Sequence, residues 1–138
     1  MVVFIDTSSL AKRYVDEVGS DKIDLYFVPE NTVHLAPTTA IEFRSVLSRR
    51  KKDGSLPVAV AETALSEWLL EQPEFQTHSF SSEIRDLAIE IVERHGIKTL
   101  DAIQLASAQV SGAVTFVTSD KALAAAARTA FAGDVVFV

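Results

Sequence analysis

The chain contains no cysteine, which excludes disulfides and thiolate metal sites and agrees with a reducing compartment. Nor does it hold an uninterrupted apolar run of about 18 residues, the length a helix needs to cross a bilayer. Its apolar residues, 48% of the total, are dispersed over many short segments, which indicates a soluble domain with no membrane span. The opening MVVFIDTSS has no basic region, long apolar stretch or small-residue cleavage site, so it reads as a first core strand and the expected location is the cytoplasm. Neither GxxxxGK[ST] nor GxGxxG occurs, which removes support for nucleoside triphosphate or dinucleotide binding by those loops. Positive charge is also short. With 13 Lys and Arg against 19 Asp and Glu the net charge is −6, the opposite of a broad nucleic-acid footprint. Distribution matters more than that sum, because Arg49, Arg50, Lys51 and Lys52, with Arg44 shortly before them, form one basic stretch.

At 138 residues the chain suits one domain spanning residues 1–138, with no repeat, linker or low-complexity segment. Residues 2–5 are a β-branched and aromatic run ending at Asp6, and Leu10 and Tyr14 then follow at helical spacing. Gly19-Ser20 is expected to break that helix, before a short amphipathic segment over 21–27 and a turn at Pro29-Glu30-Asn31. A second strand is expected at 33–36. A helix then runs from Thr38 or Thr39 to Lys52, and another from Pro57 to about Gln72, where Pro73 ends it. The third strand is expected at 77–80, and Ser81 or Ser82 caps a helix that Gly96 terminates in a left-handed conformation. An alanine-rich helix spans Thr99 to Gly112, a fourth strand 114–117, a helix follows Ser119 or Asp120, and 135–138 is the fifth strand. Continuously apolar strands separated by helices indicate an α/β architecture, a parallel sheet covered on both faces.

That architecture gathers the chemistry. Ligands bind such sheets outside the carboxyl ends of the strands, where Asp6, Thr118 and Asp120 lie directly and Glu42 lies in the following helix. The helix beginning near Thr99 runs antiparallel to the fourth strand, so Asp101 starts at the same edge. Each acid also has a local explanation: Thr39-Ala-Ile-Glu42 matches a capping box, Asp101 suits a helix dipole, and Asp120 suits an N-cap. Asp6 is harder to explain locally, since an idle carboxylate after four core residues is costly to desolvate. Carboxylates crowded together repel unless a cation lies between them. Oxygen donors favour Mg²⁺ or Mn²⁺, and the three histidines read as structural. Ions so held support metal-assisted hydrolysis of a phosphodiester.

Val2-Val3-Phe4-Ile5-Asp6-Thr7-Ser8-Ser9-Leu10, Glu42 after Thr38-Thr39, Leu100-Asp101-Ala102-Ile103-Gln104-Leu105-Ala106 and Phe116-Val117-Thr118-Ser119-Asp120-Lys121-Ala122-Leu123 together resemble, in order, the signatures of the PIN domain. Length, Lys12-Arg13-Tyr14 and Gly19-Ser20 resemble the VapC-type toxins of toxin–antitoxin pairs. The resemblance implies a three-layer fold with a parallel sheet of order 3-2-1-4-5, a Mg²⁺- or Mn²⁺-dependent ribonuclease activity, a homodimer and a VapB-type antitoxin. It makes Asp6, Glu42, Asp101 and Asp120 the acidic set, with Asp6 and Asp101 as direct metal ligands and Glu42 and Asp120 acting directly or through water. Thr7 or Ser8 and Thr118 or Ser119 would orient carboxylates or water.

Lys12, Arg13 and Lys98 are the candidates for guiding an RNA backbone, whereas the basic stretch from Arg44 to Lys52 divides evenly between a solvated helix end and phosphate contact. Ser8 stands where a dehalogenase-type phosphatase needs its second Asp, and no acidic pair near the first strand suits a receiver domain. A metal-dependent endoribonuclease toxin is therefore set against a PIN module that works in RNA processing or binds RNA or protein without cutting.

Overall fold

The computed structural model describes residues 1–138. The central strand, β1, is Val2–Ile5, with Phe4 and Ile5 fully buried. It leads into α1 (Thr7–Tyr14), a short α2 (Ser20–Ile23) with a 3-10 turn behind it, and β2 (Thr32–Leu35). Next come α3 (Thr39–Lys52), α4 (Val58–Glu71), β3 (Gln76–Thr77), α5 (Ser82–His95) and α6 (Thr99–Val110). The chain closes with β4 (Thr115–Thr118), α7 (Lys121–Ala130) and β5 (Asp134–Phe137). All strand pairings are parallel, in the order β3-β2-β1-β4-β5, so the expected α/β topology is the one observed.

Alternation along each strand divides the core in two. Val3, Ile5, Val33, Leu35 and Val117 pack on one face with Leu10, Tyr14, Phe43, Leu47 and Trp68 from α1, α3 and α4. Phe4 and Phe116 point to the other face, ring centroids 5.9 Å apart, and meet Ile84, Ile91, Leu105 and Leu123 from α5, α6 and α7. Trp68 is 1% exposed, against Tyr14, Phe43 and Phe75 at centroid distances of 6.0, 5.4 and 6.1 Å. It is a core residue, while Leu70 on the same helix is 80% exposed.

Several boundaries differ from the sequence reading; β2 and β5 each lie one residue earlier than expected. The first helix ends at Tyr14, because Val15 turns extended at φ −123°; Gly19, at φ 97°, starts α2 instead of stopping α1. β3 holds only Gln76 and Thr77, although the His78 N–H still donates to the Leu35 carbonyl at 3.0 Å. Phe80, expected in that strand, is 56% exposed; β3 is an edge strand, and no partner beyond β2 prolongs it. β4 runs one residue further than expected and includes Thr118. By contrast, Ser81 caps α5 by accepting from the Ile84 N–H at 3.1 Å, and Gly96 ends it at φ 61°.

Candidate active site

Asp6 follows the last residue of β1, and its N–H extends the ladder by donating to Val117 O at 3.0 Å. Its side chain turns back as the N-cap of α1. One oxygen, Oδ1, accepts from the Ser9 N–H at 3.0 Å and the Ser8 hydroxyl at 2.8 Å; Oδ2 accepts from the Thr118 hydroxyl at 2.8 Å and lies 2.9 Å from the same Ser8 hydroxyl. The Ser8 proton can serve only one oxygen at a time, so three protons meet about four lone pairs and one acceptor position remains. Asp6 as a whole is 3% exposed. Burial outweighs these hydrogen bonds and pushes its pKa up to about 6.

Thr118 links Asp6 to the next acid, since its hydroxyl also accepts from the Asp120 N–H at 3.1 Å. Asp120 is the N-cap of α7, its Oδ1 accepting from the Leu123 N–H at 2.9 Å. The local explanation for this residue therefore holds, yet it occupies only one of the two oxygens. Ser119 donates its N–H to the Ser8 hydroxyl at 3.1 Å, and its own hydroxyl lies 3.0 Å from that of Ser9.

Glu42 sits in the first turn of α3. The capping box does not form: Thr38, not Thr39, precedes the helix, and no side chain caps it. Glu42 Oε1 instead accepts from the Thr38 hydroxyl at 2.6 Å and from Gln104 Nε2 at 2.8 Å. Asp101, in the first turn of α6, makes no hydrogen bond or ion pair within the protein and is partly buried. Its pKa is raised by burial first, then by the negative charges of Asp120 and Glu42, and Lys98 pulls it down in part. Carboxylates from α3, α6 and the start of α7 thus share one field, and the Thr118 hydroxyl connects the Asp6 carboxylate to the Asp120 backbone N–H. With Lys98 and the alanines of α7, Asp101 and Asp120 line a cleft of about 540 Å³.

The supporting residues divide. Ser8 and Thr118 orient a carboxylate directly; Ser119 acts on Ser8; Thr7 accepts from Gln104 at 2.9 Å and touches no acid. Arg13, expected as a phosphate guide, holds Glu71 through two hydrogen bonds of 2.8 and 2.7 Å, pairs with Asp24 at 2.9 Å, and covers the Phe27 ring. Tyr14 donates to the same Glu71 at 2.7 Å. That cluster ties α1 to α4 and engages all three nitrogens of the Arg13 guanidinium within the protein. Lys12 is likewise turned away, onto the Val18 carbonyl. Lys98 remains, exposed at the cleft. His34 and His78 bond to each other, Nδ1 to Nε2 at 2.9 Å, in keeping with their structural reading.

Sequence reasoning missed Gln104. It is 1% exposed, on the face of α6 that Asp101 begins, and its Nε2 contacts Thr7, Thr39 and Glu42. The available signal was an amide three residues after Asp101 inside the otherwise small and apolar run Ala102 to Ala106, where a buried polar group requires partners.

A three-layer α/β domain with four acids at the carboxyl edge of its parallel sheet defines the class. The sequence matches the PIN domain over residues 3–129, and the chain belongs to that family, whose members are nucleases. No curated protein matches it. Among solved structures it is similar to PAE2754 from Pyrobaculum aerophilum, with 20% identity, 99% of this chain and 83% of that one covered, and a TM-score of 0.69. VapBC-5 from Mycobacterium tuberculosis, a member of the VapBC family of toxin–antitoxin systems, is similar at 14% identity, 99% and 98% coverage and a TM-score of 0.66. A toxin–antitoxin complex from Klebsiella pneumoniae is similar at 18% identity, 86% coverage of each chain and a TM-score of 0.59. At these identities the likeness is one of fold. No helix is long and apolar enough to cross a membrane.

Proposed function

We propose that this chain is a Mg²⁺- or Mn²⁺-dependent endoribonuclease acting in the cytoplasm as the toxin of a type II toxin–antitoxin pair, with Asp6, Glu42, Asp101 and Asp120 as its acidic set. The observation that carries this reading is Asp101, a carboxyl without a protein partner whose pKa is raised by burial first and then by the charges of Asp120 and Glu42. Repulsion of that kind is relieved by a cation, and the donors are all hard oxygens. Asp101 keeps both oxygens free, Glu42 and Asp120 one each, and Asp6 one acceptor position. No three acids or histidines stand in a ready-made cage. We assign direct contact to Asp6 and Asp101, and contact directly or through water to Glu42 and Asp120.

A divalent ion held there lowers the pKa of bound water and balances charge on the leaving oxygen. The protein's own part is positional. Ser8 and Thr118 fix the Asp6 carboxylate, the Asp120 N-cap bond fixes one of its oxygens, and Lys98 offers the cleft a mobile positive charge for an incoming RNA phosphate. Resemblance to VapC-type toxins, and the toxin–antitoxin character of two structurally similar proteins, support a VapB-type partner. An apolar groove between α5 and α6, lined by Phe80, Ile89, Val92 and Ile103, supports a homodimer.

The test is cleavage of a panel of structured RNAs by purified protein. Cleavage should require Mg²⁺ or Mn²⁺, stop in excess EDTA and return on adding the metal back. Cutting that persists undiminished in EDTA would refute the metal-dependent reading, and binding without cutting would favour the non-cleaving module.

A further inference from the structure

Gln104 is placed as no residue chosen for packing alone would be. A leucine or methionine would fill its site on α6 without burying a polar atom of its own, yet the chain keeps an amide whose Oε1 is buried and accepts no hydrogen bond. The orientation of that amide is fixed by chemistry. Glu42 Oε1 lies 2.8 Å away, and an ionised carboxylate can only accept, so the nitrogen must face it. Rotating the amide to satisfy Oε1 on the Thr7 or Thr39 hydroxyl would set two oxygens against each other. The fold therefore tolerates an unsatisfied acceptor in order to aim a donor at Glu42, and an exception of this kind calls for an explanation beyond stability.

Geometry supplies one. Gln104 stands one turn after Asp101, so both project from the same face of α6. Its Nε2 also reaches Thr7 on α1, at 2.9 Å, and lies 3.4 Å from the Thr39 hydroxyl on α3. One buried side chain thus joins the three helices that begin next to Asp6, Glu42 and Asp101. Together with the Thr38 hydroxyl it occupies Glu42 Oε1, which leaves Oε2 as the oxygen free for an outside ligand.

We propose that Gln104 is a positioning residue: by donating to Oε1 it holds the Glu42 carboxylate in one orientation, with Oε2 left free for an outside ligand. The proposal rests on the reading of Glu42 as part of the active site. Gln104 touches neither substrate nor ion. Outer partners that orient a ligand commonly change metal affinity or activity by about 10- to 100-fold when removed.

The test is a double-mutant cycle between Gln104→Leu and Glu42→Ala, read by calorimetric Mn²⁺ affinity of the purified protein, by kcat and KM on RNA, and by metal-free melting temperature. Gln104→Leu should leave the melting temperature equal or higher, weaken Mn²⁺ binding and lower kcat about 10- to 100-fold, with KM little changed. In the Glu42→Ala background the same substitution should change neither affinity nor kcat by more than about twofold, since coupled residues are not additive. Gln104→Met, which matches the length of glutamine more closely, repeats the cycle if the leucine variant folds poorly. Equal losses in both backgrounds would overturn the proposal in favour of general packing. A fully active Gln104→Leu protein beside an inactive Glu42→Ala protein would overturn the proposal alone. Wild-type Mn²⁺ affinity and turnover in Glu42→Ala would overturn the assignment of Glu42 itself, and the proposal with it.

Discussion

Replacing Asp6 with asparagine should make the metal-free protein more stable at neutral pH relative to wild type than it is in acid. The Asp6 pKa is raised from 3.8 to about 6 in the folded protein. A carboxyl raised on folding favours its protonated form, so its contribution is fully present below the unfolded pKa and is lost as pH climbs through the folded one. A shift of that size corresponds to about 3 kcal/mol, at about 1.4 kcal/mol per pH unit. Asparagine carries no charge and lacks this slope. It also exchanges one acceptor oxygen for a donor facing Ser8 or Thr118, at a cost of about 1 kcal/mol for each bond lost, but that offset is the same at every pH. The decisive quantity is therefore the change in the mutant-minus-wild-type difference, which every other titrating group leaves untouched. Urea unfolding in EDTA at pH 4 and pH 7 should show it rising by about 2 to 3 kcal/mol. A flat difference would mean that the Asp6 carboxyl ionises as it does in the unfolded chain. A falling one would mean that its hydrogen bonds outweigh burial.

The remaining predictions concern other parts of the molecule. Asp101→Asn should abolish RNA cleavage and weaken Mn²⁺ binding while leaving the circular dichroism spectrum unchanged, because it removes a charge without opening a cavity; wild-type turnover in Mg²⁺ would contradict it. Trp68→Ala should cost about 3 to 5 kcal/mol in urea unfolding, and a loss under about 1 kcal/mol would deny Trp68 its place at the centre of the core. Burial lowers the pKa of both His34 and His78 below 6.5, so their neutral forms stabilise the fold above that value and the benefit is lost as pH falls. Replacing both with glutamine should flatten the loss of stability that wild type shows below about pH 6.5, and unchanged curvature would sink this account. A cognate antitoxin should place an Arg or Lys among the four acids, where a guanidinium pairs with carboxylates bidentately; changing that residue to Ala should relieve inhibition of the purified complex.

The architecture was legible because β-branched runs and caps acted locally. Val2–Ile5 before Asp6, Ser81 before α5 and Gly96 after it each carry their own signal, and parallel pairing then follows from the alternation of strands and helices. β3 was misjudged because an edge strand of two residues depends on its neighbour and on no pattern of its own. The acids were legible from their positions at strand ends and helix starts. What they do there was not, since Asp120 is both an N-cap and a candidate member of the site. Arg13 shows the limit most plainly: sequence placed it close to Asp6, but its partner Glu71 comes from another helix and only tertiary packing brings the two together. Gln104 escaped notice for a related reason. Its three hydroxyl and carboxylate partners lie on α1 and α3, remote in sequence from α6.

The central claim is that the four acids hold a divalent cation, and the most direct measurement is anomalous scattering from a crystal of the protein soaked in Mn²⁺. A peak should lie within bonding distance of Asp101 and Asp6, with Glu42 and Asp120 reaching it directly or through water, and should disappear in Asp101→Asn. A peak elsewhere on the molecule, or none at a Mn²⁺ concentration that supports RNA cleavage, would contradict the account.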